Sequence, residues 1–140
     1  MENNLLYDVL MQQLSNCNNQ IGSLSSQINI LKAEISQYKA MNDKINATKN
    51  YTMGAKSATA AAASALNNSY TSYTGKSIRE KIDTVTQRLN SLTTSMQNAI
   101  ETSQTAIKKK EKEIQNLQSQ ISTLQSQIQG LQSQISALQG

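Results

Sequence analysis

Few side chains in this 140-residue chain could take part in making or breaking bonds. There is no His and only one Cys, Cys17, so no Cys–His nucleophile pair, no Ser-His-Asp set and no His/Cys zinc cluster can be assembled. A lysine nucleophile would need a desolvated pocket, and nothing in the sequence builds one. The closest carboxylate pairs, Glu80 with Asp83 and Glu111 with Glu113, read as solvated helix charges. The densest basic run, Lys108, Lys109, Lys110 and Lys112, is interrupted by Glu111, and with two Arg and no aromatic stripe it is a weak nucleic-acid signature. The triplets Asn46-Ala47-Thr48, Asn50-Tyr51-Thr52 and Asn67-Asn68-Ser69 fit glycosylation acceptors, but chance explains them in a chain so rich in Asn, Ser and Thr. The expectation is a non-enzymatic protein with no catalytic residues, no cofactor, no metal and no small-molecule substrate.

The elements that position these residues are helices. The chain has no Pro, Phe or Trp, only five Gly, and 37% apolar residues, many of them Ala. Such a composition buries a stripe along a helix pair and lacks the material for a thick core. It holds one domain, residues 1–140, carrying a formal charge of +4. No run of eighteen apolar residues is present, and the start MENNLLYDVLMQQ lacks a secretory pattern. The expectation is cytoplasmic synthesis with no direct membrane insertion.

Residues 114–140 repeat every seven positions: Ile114, Ile121, Ile128 and Ile135 alternate with Leu117, Leu124, Leu131 and Leu138. This is a coiled-coil seam, with Ile at the a and Leu at the d position of each heptad. A second seam runs from the N-terminus, with Tyr7, Leu14, Ile21, Ile28 and Ile35 at a, and Leu10, Cys17, Leu24, Leu31, Tyr38 and Ile45 at d. Its pattern weakens through 46–56, predicting a break or kink near residues 46–54, where Gly54 costs up to about 1 kcal/mol in a helix interior. Residues 58–66, ATAAAASAL, return to strong helix material with small side chains. The polar run 67–75 ends in Gly75 and carries the best turn signal. Ser77 and Glu80 then have capping-box spacing. The spacing predicts helix one over about 3–67, a turn over 68–76 and helix two over about 77–139. Within helix two, Ile78, Ile82, Val85, Leu89, Leu92 and Met96 form one series, and Ile100, Ile107 and Ile114 another, shifted by four residues. That is the mark of a stutter.

Both seams reach their chain ends, so the chain can fold on itself. An antiparallel pairing sets Tyr7 against Leu138, Leu14 against Leu131, Cys17 against Ile128, Ile28 against Leu117 and Ile45 against Ile100, with the reversal between Ser72 and Tyr73. It opposes Val85 to Ala60 and Ile82 to Ala63, and Asn42 to Ser103 as a hydrogen-bonded layer. The fold expected is all-α: a long antiparallel helical hairpin, a two-helix coiled coil. Its seam would be held by Leu14, Ile21, Leu24, Ile28 and Leu31 against Ile114, Leu117, Ile121, Leu124, Ile128 and Leu131. Leu5, Val9, Met11, Ile30 and Met41 fall outside that seam and would be left for a partner. The competing architecture is a parallel homodimer, which Ile at a with Leu at d favours. Gln at every flanking position from Gln118 to Gln134 specifies direction weakly, and the chain's own first helix has the highest effective concentration.

A hairpin folded around Tyr73-Thr74-Gly75, opening with LLYDVLMQQL and closing on an Ile/Leu/Gln heptad tail, resembles the small helical proteins encoded beside LXG toxins of the bacterial type VII (ESX) secretion system. These are relatives in shape of the WXG family, with Tyr73 standing where that family carries Trp; the Tyr-x-x-x-Asp/Glu export signal is lacking. The resemblance implies a targeting factor that packs with the helical LXG domain of a toxin, often beside a second small helical protein, and assists its export. It also implies co-export through the same apparatus as an alternative to a purely cytoplasmic life. On this reading Tyr70, Tyr73 and Gly75 join Leu5, Val9, Met11, Ile30 and Met41 in contacting the partner. Two other classes stay open: a purely structural, self-associating coiled coil such as a phage or surface fibre segment, and an anionic-surface binder using the lysines near 108–112.

Overall fold

A chain without Pro, whose apolar residues recur at steps of three and four, can bury them by pairing helices, and the computed structural model does so within one chain. It describes the backbone of residues 2–69 and 73–140 and the side chains of 3–66 and 76–140. Helix α1 spans Glu2–Ser69 and helix α2 spans Tyr73–Gln139. They pack on each other as an all-α helical hairpin. The reversal expected between Ser72 and Tyr73, and Tyr70 with it, lies outside the described residues. The helices extend further than the turn chemistry predicts. Because α2 begins at Tyr73, Gly75 stands inside its first turn and Ser77 is an interior residue, so Ser77 and Glu80 do not cap it.

Two compact units divide the hairpin: Met1–Ser36 with Ile107–Gly140, and Gln37–Ala106. In the first, the seam is aliphatic. Leu10, Cys17, Ile28 and Ile35 of α1 and Ile107, Ile114, Leu117 and Ile135 of α2 are buried. Tyr7, Leu14, Ile21, Leu24 and Leu31 are half-buried, as are Ile121, Leu124, Ile128, Leu131 and Leu138. One d position of α2 is held by Lys110, whose Nζ leaves the seam to donate to Glu34 Oε2 at 2.7 Å. A long aliphatic stem with a charged end permits this.

In the second unit the same frame continues without a break, and two expectations fail. Helix α1 is uninterrupted through 46–56. Its seam positions there are Lys49, half-buried with Nζ donating to Gln97 Oε1 at 2.6 Å, Thr52, only 7% exposed, and Lys56, which is exposed. Helix α2 has no stutter. Counting back from Ile107 in sevens and in the alternating threes and fours, the inward residues are Ile100, Met96, Thr93, Leu89, Thr86 and Ile82, each buried or half-buried. Ile78, Val85 and Leu92, which the shifted series would have turned inward, are 41%, 46% and 48% exposed. Val85 therefore does not oppose Ala60, which is itself exposed; Ile82 and Ala63 are both half-buried.

Threonine keeps the frame intact. Thr52, Thr59, Thr86 and Thr93 occupy seam positions, and each donates its hydroxyl to the carbonyl four residues earlier in its own helix, at 2.8–3.0 Å. The polar atom is satisfied locally, and the γ-methyl is left to pack. Asn42 and Ser103 lack that solution. They are 9% and 3% exposed, yet Asn42 Oδ1 and Ser103 Oγ have no hydrogen-bond partner, so the expected bonded layer is a layer of two orphaned polar groups.

Two measurements test this. Thr52→Ser keeps the hydroxyl and loses the methyl, and should lower stability by about 1 kcal/mol, whereas Thr52→Val should match or exceed the parent. Denaturant unfolding followed by circular dichroism gives the order, and a serine variant as stable as the parent would sink the methyl-packing account. Asn42→Leu removes a buried amide that has an unmet acceptor, and should raise stability by about 1–3 kcal/mol in the same assay.

Candidate partner-docking surface

The candidate site in this chain is a surface. Among the described residues no three His, Cys, Asp or Glu side chains gather to hold a metal, and no helix is long and apolar enough to cross a membrane. Glu80, Asp83, Glu111 and Glu113 are all exposed.

The residues of α1 selected as partner contacts are exposed: Leu5 70%, Val9 43%, Met11 40%, Ile30 59% and Met41 42%. In the heptad frame Leu5 is at f, Val9 and Ile30 at c and Met41 at g, adjoining positions on one side of the helix, while Met11 is at e on the other side. Leu5 and Val9, joined by Leu6 at 48% exposure, gather on two adjacent turns, while Ile30 is isolated. Tyr70 is outside the described residues, and of Tyr73 and Gly75 only the helical backbone is described.

Sequence reasoning missed a more coherent set. In α2, Ile78, Val85 and Leu92 follow each other at seven-residue steps, and Ala99 and Ala106 continue the row. All hold the g position, the flank next to d. An antiparallel pair brings g of one helix beside g of the other, and here α1 supplies Ala55 and Ala62. The result is an open groove of about 390 Å³ within the second unit, lined by Ala58, Thr59 and Ala62 from α1 and by Ile78, Lys81, Ile82 and Val85 from α2. The signal was available: extending the C-terminal heptad frame back through Ile100 places Ile78, Val85 and Leu92 together on the flank.

In the first unit the g positions are polar apart from Leu6. Its grooves are lined by Gln20, Ser23, Gln120 and Thr123 around Leu24 and Leu124, and by Gln13, Asn16, Gln127 and Gln134 around Cys17 and Leu131. There Cys17 is buried and its thiol donates to Gln127 Oε1 at 3.8 Å. Charge, unlike exposed apolar surface, is divided unevenly. Residues 37–106 hold eight basic against four acidic side chains, which is the whole of the net +4; the remaining residues balance at five against five. No described family, no characterised protein and no solved structure matches this chain.

A buried Cys17 gives a direct assay of the hairpin. Its thiol should react at least about tenfold more slowly with a disulfide reagent in the native protein than in denaturant. Mild oxidation should give no covalent dimer on a non-reducing gel; a parallel homodimer, with two Cys17 side chains in one layer, would give one readily.

Proposed function

We propose that this protein is a non-enzymatic helical adaptor, of the kind encoded beside LXG toxins of type VII secretion systems, which packs against the helical LXG domain of its toxin and assists export. The observation that carries the reading is the amount of apolar side chain left uncovered on a two-helix body. Leu5, Ile30, Val85, Leu92 and others stand out of a seam that is already closed within one chain. Large apolar residues outside a satisfied seam are what a helical partner would cover. The opening LLYDVLMQQL, the central Tyr73-Thr74-Gly75 and the heptad tail supply the family resemblance. A fibre of parallel chains would need the same Ile and Leu seam for contacts between chains, and the hairpin consumes it.

In such a role the chain supplies positioning and shielding. It would escort the toxin's helices by covering their apolar faces, with or without a second small helical protein. The test is co-expression with the LXG domain encoded alongside, followed by affinity purification of one partner. Stoichiometric recovery of both in one peak is expected, whereas a chain that elutes alone, with the LXG domain soluble and unbound, would refute the reading.

A further inference from the structure

We infer that the flank of the second unit lined by Ile78, Val85 and Leu92 is the seat of one helix from another protein, an amphipathic helix with acidic residues beside its apolar stripe. This deepens the adaptor reading and rests on it.

The first argument is pattern. A two-helix seam requires apolar residues at a and d alone, and helices packed on more than one neighbour add e or g. Helix α2 has the narrow pattern from Ile107 onward, where Gln120, Gln127 and Gln134 occupy g. Over 78–106 it has the wide one, with Ile78, Val85, Leu92, Ala99 and Ala106 at g. Across from Ile78 and Val85 α1 presents Ala58 and Ala62, both exposed, whose small side chains line an open groove. The second argument is need. The seam of this unit includes Thr52, Thr59, Thr86 and Thr93 and the orphaned Asn42 and Ser103. It buries less apolar area than the Ile/Leu seam of the first unit, so a third helix would add what its own two lack.

Charge selects the occupant. The position outside g on each helix is c, and there the rim carries Lys44, Lys81 and Arg88 with no acid. None of the three has a carboxylate three or four residues away to offset it. A second copy docked on the same face would set Lys81 and Arg88 against their own kind. A nucleic acid would meet the bases but leave Ile78, Val85 and Leu92 uncovered. A helix with an apolar stripe between acidic flanks satisfies both requirements.

Two synthetic helices sharing one Leu heptad stripe, flanked by Glu in one and Lys in the other, test the inference against the full chain by fluorescence anisotropy at low salt. The Glu-flanked helix should bind saturably and at least about tenfold more tightly than the Lys-flanked one. Val85→Ser with Leu92→Ser, exposed positions whose helicity circular dichroism can verify, should weaken it about tenfold. Lys81→Glu with Arg88→Glu should invert the preference. Failure of the Glu-flanked helix to saturate, equal binding of both helices, or indifference to the serine pair would overturn the inference. The co-purification separates the two claims. If the serine variant still retains the LXG domain in full, the flank is not the seat and the adaptor reading stands. If the wild-type chain binds the Glu-flanked helix yet never retains the LXG domain, the adaptor reading falls and the acidic-helix seat stands.

Discussion

The heptad frame that the Ile and Leu layers fix in both helices is the constraint on which the rest depends. Two helices stay in contact over many turns only if each inward position is tolerable, and in Gln37–Ala106 many inward positions are polar. Threonine makes them tolerable. With its hydroxyl returned to the carbonyl one turn back, it presents a methyl and avoids the cost of an unmet buried donor. Where no local acceptor is taken, as at Asn42 and Ser103, the frame persists because the Ile and Leu layers hold it.

Keeping that frame decides the surface. A stutter in α2 would have drawn Ile78, Val85 and Leu92 into the seam at the expense of Thr86 and Thr93. The unbroken frame does the reverse, trading apolar burial between the two helices for an apolar flank beside them. The two units thus differ in kind: one closes an aliphatic seam behind glutamines, while the other closes a threonine-rich seam and leaves aliphatic residues and lysines on its side. A protein that works by lending a face to another helix needs a difference of this sort, because a pair that satisfies itself completely has nothing to offer a partner.

Some of this was legible in the residues and some was not. The seams from Tyr7 to Ile45 and from Ile100 to Leu138 could be read directly, since Ile and Leu mark a heptad unambiguously. Their register was legible too: Glu34 with Lys110 and Lys49 with Gln97 lie within one residue of the pairing the seams predict. The flank was legible only by carrying the C-terminal frame back through Ile100, because the rule that apolar residues turn inward favours Val85 over Thr86 when each is judged by itself. Leu5, Val9, Met11, Ile30 and Met41 of α1 are exposed outside the seam, as their heptad positions require.

By itself, then, the sequence determined that the chain is two helices that reverse on each other, which seam residues meet, and that a chain with no His and one Cys assembles no Cys–His pair and no Ser-His-Asp set. Those conclusions follow from residue type and local period. Only the tertiary structure decided that the weak pattern over residues 46–56 and the apparent shift before Ile100 are overridden, and hence which apolar side chains face outward. The reason is cooperative: a helix cannot rotate one turn inward without rotating its neighbours, so the strong Ile/Leu layers dictate the orientation of the weak ones between them.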